Sequence, residues 1–154
     1  MKKILVAVDE TKGSMQAVET LAELFSCARP ETVVLVYVEK PEGRSVMDDL
    51  ILSESEMKTL RESLQGTAYQ EALDQKAGKV MAHFSKELQK RGITGIHPLV
   101  REGHPAEEIL RAADEQGVEM IILGARQPGK KNLFIGSVSR EVVDRSEIPV
   151  LVAK

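Results

Sequence analysis

Five short strand-like segments, each five or six residues long, alternate along this chain with stretches whose apolar residues recur at helical spacing. They are residues 4–8, 33–38, 96–101, 120–124 and 149–153, mainly apolar except for 96–101, which includes His97, Pro98 and Arg101. In Ile4-Leu5-Val6-Ala7-Val8 and Met120-Ile121-Ile122-Leu123 the apolar residues are consecutive rather than alternating. That pattern belongs to strands covered on both faces, as parallel strands are. Between them, Met15, Val18, Leu21, Ala22 and Phe25 form one helical stripe, and Leu73, Ala77, Val80, Met81, Phe84 and Leu88 form a second that ends at Arg91-Gly92. Pro105-Ala106-Glu107-Glu108 opens a third helix, with proline in its first turn and acids at its positive end, and Gln116-Gly117 closes it. Residues 137–145 form the last helix, residues 9–13 a turn, and the charged stretch 42–66 a mobile helical segment.

The resulting β-α-β-α-β-α-β-α-β order predicts an α/β fold: a single doubly wound sheet of five parallel strands with helices on both faces and right-handed crossovers. The expected strand order is 3-2-1-4-5. Pro98 lacks the amide hydrogen that an interior strand would use, so it fits only an edge position or an irregular start of the third strand. With 154 residues and no repeat or linker composition, residues 1–154 form one domain. Ligands in such sheets bind beyond the carboxyl ends of the strands, where the strand order reverses. Asp9, ending the first strand, and Gly124, ending the fourth, would flank that crevice.

Composition narrows the partners. A net charge of −3 gives no basic field for nucleic acid, and two Tyr, three Phe and no Trp leave few stacking platforms for single strands. The lone cysteine, Cys27, excludes an internal disulfide, fits a reducing, cytoplasmic compartment, and reads as a small buried hydrophobe. The apolar run after Lys2-Lys3 stops at Asp9, too soon for a signal sequence or a membrane span. His83 and His97 have no partners at ligand spacing, and His104 suits a cap or loop role beside Pro105, so no side-chain metal site is expected. No nucleophile, base and orienting group stand together, and catalysis is not assigned.

The stretch most suggestive of chemistry is 124–139: Gly124-Ala125-Arg126-Gln127-Pro128-Gly129-Lys130-Lys131, then Asn132-Leu133-Phe134-Ile135, then Gly136-Ser137-Val138-Ser139. A strand, a glycine-punctuated basic loop and a helix start follow in order. Amide groups freed at a helix N-terminus, and glycines that allow close approach to the backbone, suit an anion such as phosphate. Arg126, Lys130 and Lys131 add positive charge, with Arg126 capable of bidentate contacts. Solvated lysines on a glycine turn are the plain alternative.

On these residues the chain resembles the universal stress protein family, of the adenine nucleotide α-hydrolase-like fold. The resemblance covers nearly the whole chain: residues 4–9, 34–38, Gly103-His104-Pro105-Ala106-Glu107-Glu108-Ile109, 120–124, Gly136-Ser137-Val138-Ser139 and 148–152. It implies a stress-response or regulatory protein that binds ATP or a related adenine nucleotide, with any Mg²⁺ held by the phosphates. It also implies a homodimer paired through the C-terminal strand. Carried over residue by residue, it puts Asp9 near adenine or ribose, the Val38 backbone at the base, and Gly124, Arg126 and Gly129 along the ribose–phosphate path. Gly136, Ser137, Val138 and Ser139 would cradle phosphate. The family's nucleotide-binding branch has Gly, two residues, Gly, nine residues, Gly, then Ser or Thr. Here Gln127 stands at the second glycine position, and the span from Gly124 to Gly136 is one residue short. A dimeric member acting through protein contacts alone is therefore the second reading, and a slow ATPase the third.

Overall fold

The computed structural model describes residues 1–40, 55, 59, 68–125 and 136–154. In chain order these build β1 (Lys3–Val8), α1 (Lys12–Leu24), β2 (Thr32–Glu39), α2 (Ala68–Lys90), β3 (Ile96–Glu102), α3 (Pro105–Gln116), β4 (Met120–Gly124), α4 (Ser137–Arg145) and β5 (Val150–Ala153). The expected segment 42–66 lies outside the described residues, apart from helical positions at Ser55 and Thr59.

The five strands form one parallel sheet in the order β3-β2-β1-β4-β5. The apolar runs occupy its interior: Ile4, Leu5, Val6, Ile121 and Ile122 are completely buried in β1 and β4. Strand alternation sends their side chains to two cores. On one face Ile4, Val6, Val33, Leu35 and Ile122 pack with α1 and α2, whose stripes contribute Val18, Leu21, Ala77, Met81, Phe84 and Leu88. On the other, Leu5, Val34, Val36, Ile121 and Leu123 pack with Ala106, Ile109 and Ala113 of α3 and Val142 of α4. β3 is an edge strand with Pro98 paired in register with Leu35, so its missing amide hydrogen interrupts no interior ladder. Helix α3 ends as read, with Gly117 in the left-handed conformation at its C-cap (φ 59°), a geometry that glycine adopts without a Cβ penalty.

Two local readings change. Residues 9–13 are not all turn: α1 begins at Lys12, which puts Gly13 inside a helix. The reason is tertiary. A Cβ on Gly124 would overlap the backbone of Gly13, and one on Gly13 would lie 2.5 Å from the Ala125 carbonyl oxygen. The first turn of α1 thus lies backbone to backbone on the end of β4. Cys27 is exposed, because α1 stops at Leu24 and the cysteine falls beyond the apolar stripe it was read onto.

The close approach sets a stability expectation. Gly124→Ala forces two backbones apart and should destabilise the fold by about 1–3 kcal/mol. Gly78→Ala, in the middle of α2 with nothing within 4 Å of the new methyl, should stabilise it by about 0.5–1 kcal/mol. Urea unfolding of the two variants checks this, and equal midpoints would contradict it.

Candidate functional site

The crevice predicted at the reversal of strand order is present. β1 and β4 are neighbours, yet their connections leave to opposite sides, and their carboxyl ends open into one cleft. Asp9, Val38, Gly124, Gly136, Ser137, Val138 and Ser139, all singled out from sequence, line it together. Arg126 and Gly129, with Gln127, Pro128, Lys130 and Lys131, lie outside the described residues. The space between these residues, open mouth included, is about 760 Å³.

Each wall has its own chemistry. Val36, Val38 and Leu123, which β2 and β4 turn toward α3 rather than toward α1, give an apolar side together with Ile109 of α3. The opposite end is the start of α4. Gly136 is its N-cap (φ −58°, ψ 158°), and its carbonyl accepts the first intrahelical bond, from Arg140 N–H at 2.9 Å. The amides of Ser137, Val138 and Ser139 therefore have no acceptor within the helix and carry the positive end of its dipole. No acidic residue occupies the first turn of α4. Helix α3, which brings Pro105 to the same cleft, has Glu107 and Glu108 in its first turn and Pro105 as its first residue. Of these two helix starts, only that of α4 is left for an anion.

Asp9 is held in a closed set of hydrogen bonds. Its Oδ1 accepts from Thr11 N–H (2.8 Å), from the Thr11 hydroxyl, and from Ser14 Oγ (2.7 Å), while Asp9 N–H donates to Ser14 Oγ (2.7 Å). Thr11, not Asp9, is the N-cap position of α1, and Asp9 ties the β1–α1 turn. Gly124 owes its lack of a side chain to the packing of α1. Ser139 is buried, and its hydroxyl donates to the Gly124 carbonyl at 3.3 Å, which joins the start of α4 to the end of β4. Of the two serine hydroxyls assigned to an anion, only that of Ser137 stands exposed at the mouth; Ser139 offers its amide.

Sequence reading missed Thr11, Ser14, Lys40, Pro105 and Ile109 as lining residues. The Asp9-Thr11-Ser14 spacing was a usable signal for a side chain–bonded turn. Lys40 carries no comparable sign, since it is one lysine after a strand. Beside the cleft, where α3 meets α4, His104, Glu107 and Glu141 bring their ligand-type atoms within 4.8 Å of one another, a grouping invisible in sequence. Arg145 lies among them, 2.7 Å from Glu141 and 3.8 Å from Glu107, and His104 Nε2 is 3.7 Å from Glu141, so these carboxylates already face positive charge.

Glu39, between the cleft residues Val38 and Lys40 in sequence, points to the other face of the sheet. It is 4% exposed with Oε1 unbonded. Burial, and then the charges of Asp74 and Glu102, raise its carboxyl above the usual value. A carboxyl raised in the folded state favours folding while both states are protonated and loses that contribution as pH rises through the folded value. Glu39→Gln should therefore raise the thermal midpoint at pH 7, with the gain vanishing below about pH 4.5. Melting curves at the two pH values decide it: a variant no more stable than wild type at pH 7 refutes the account.

A doubly wound α/β domain with a polar-ended cleft at its switch point is the class that fold and site define. The chain belongs to the universal stress protein family, whose model matches residues 1–154. It is 30% identical over 158 aligned residues to the universal stress protein MJ0577 of Methanocaldococcus jannaschii, spanning 99% of this chain and 94% of that protein. The solved structure of MJ0577 superposes with a TM-score of 0.70, over 99% of this chain and 95% of that one. A universal stress protein from Archaeoglobus fulgidus solved in complex with dAMP has a TM-score of 0.64 at 22% identity, covering 100% of this chain and 98% of its own. An Arabidopsis thaliana family member with AMP bound reaches 0.67 at 18% identity, covering 100% and 92%. These last two likenesses establish the fold.

Proposed function

We propose that the cleft binds ATP or a related adenine nucleotide and that the protein acts as a nucleotide-dependent regulator in a cytoplasmic stress response. The observation that carries this reading is the convergence of three chemically distinct surfaces on one cleft: an apolar wall, a carboxylate, and a helix start with free amides. The apolar wall suits a purine. The Asp9 Oδ2 atom, to which no donor is directed among the described residues, suits a ribose hydroxyl or an exocyclic amino group. The amides of Ser137, Val138 and Ser139 suit phosphate oxygens. The complexes with dAMP and AMP support the assignment by fold. Magnesium, in this reading, rides on the phosphates, as it does where one or two carboxylates and substrate oxygens share it.

The test is direct. The purified protein, once denatured, should release nucleotide detectable by chromatography, or the empty protein should give a calorimetric signal with ATP or AMP. Absence of both rejects the proposal. Gly136→Asp should abolish ATP binding and leave the sheet folded, because aspartate is a favoured N-cap residue yet puts a carboxylate where phosphate would sit. Unchanged ATP affinity in a folded Gly136→Asp protein shows that phosphate lies elsewhere.

We also propose a homodimer paired through β5. This strand is apolar, four residues long and at the edge of the sheet, with one side unpaired among the described residues. Sedimentation as a 17.0 kDa monomer at micromolar concentration would exclude it.

A further inference from the structure

Ser14 is a small polar residue in the first turn of α1, and at 4% exposure it is shielded from water. Both of its hydroxyl functions are spent on one neighbour. The oxygen accepts Asp9 N–H at 2.7 Å, and the hydrogen goes to Asp9 Oδ1, also at 2.7 Å. A carboxylate has two equivalent oxygens and a soft terminal torsion. With Thr11 and Ser14 directing three donors to Oδ1, that symmetry is broken. Among the described residues, donors fill Oδ1 and none is directed to Oδ2. Ser14 does this from a rigid support, since it follows Gly13, whose backbone is pressed against the end of β4.

We propose that Ser14 is a positioning residue for ligand recognition, holding the Asp9 carboxylate so that Oδ2 is presented to the cleft as a fixed acceptor for a hydroxyl or amino donor of the ligand. The inference rests on the reading of the cleft as an adenine nucleotide site. It goes further in assigning to a buried helix residue the orientation of the group that reads the nucleoside part. A carboxylate offers only acceptors, so the ligand atom that meets Oδ2 must be a donor, and the nucleoside end rather than a phosphate belongs there.

The experiment is a double-mutant cycle on Asp9 and Ser14, with calorimetric titration of ATP and, as a probe of the α4 end alone, inorganic tripolyphosphate. Ser14→Ala should weaken ATP about tenfold, the loss of one well-oriented hydrogen bond. It should leave the affinity for tripolyphosphate as in wild type, which also certifies the fold. In the Asp9→Ala background the same substitution should change ATP affinity less than threefold, because the group that it positions is gone. A loss that persists in that background, or one shared equally by tripolyphosphate, makes Ser14 a structural or direct contact and overturns the proposal. So does wild-type ATP affinity in Ser14→Ala. Amide exchange gives a readout without ligand: Ser14→Ala should speed exchange at the Asp9 amide, and an unchanged rate would contradict the fixed geometry. A wild-type protein that binds no adenine nucleotide rejects the nucleotide reading itself, an outcome distinct from a wild-type protein that binds while Ser14→Ala binds equally well.

Discussion

The contact on which the site depends is the backbone-to-backbone approach of Gly13 and Gly124. A helix ordinarily rides on a sheet at side-chain distance. Here a residue without a Cβ on each side lets the first turn of α1 settle onto the end of β4. The consequence spreads in both directions. Toward β1, the position of α1 brings Thr11 and Ser14 under Asp9 and closes the hydrogen-bonded turn. Toward α4, the Gly124 carbonyl accepts the Ser139 hydroxyl, so the strand end and the next helix start are joined. Three segments far apart in sequence become one cleft because two glycines allow it.

Electrostatics then distributes roles within the cleft. Three helices begin there, and their starts differ: that of α1 is turned to the Asp9 carboxylate through the Thr11 amide, α3 carries its own acids, and α4 carries none. A helix start with adjacent carboxylates has its positive end compensated, and one without keeps it for a ligand. Asp9 contributes the opposite character at the end of β1, as an acceptor already half satisfied. A ligand with an apolar plane, donors near its middle and anionic oxygens at one end matches this order. The family to which the chain belongs includes proteins crystallised with such molecules.

Much of the fold was legible because its signals are local and repeated. Consecutive apolar residues in β1 and β4, helical stripes in α1 and α2, and the proline and glycine that bound α3 each report the element in which they lie. Pro98 admitted either an edge position or an irregular strand start, and β3 does lie at the edge, where an amide without hydrogen is tolerated. The failures have the same cause in reverse. Gly13 was read as turn because nothing within ten residues of it says that another backbone will press against it. Cys27 was read as buried because the stripe of α1 was extended past the point where the helix stops.

The site divides along the same line. The family resemblance pointed to Val38 and residues 136–139, while the sequence by itself determined which residues end the strands and hence that Asp9 and Gly124 would flank a crevice at the carboxyl edge of a parallel sheet. That follows from topology, which alternating apolar runs and helical stripes specify. Only the tertiary structure decided what each one does there. It gave Gly124 to the packing of α1, committed the Ser139 hydroxyl to a strand carbonyl, oriented Asp9 through a buried serine, and brought Lys40, Pro105 and Ile109 to the walls. Periodicity records which face a residue turns to. It holds no record of which atom of a distant segment will meet that face, because that is fixed by close packing among elements that the chain connects only through the sheet.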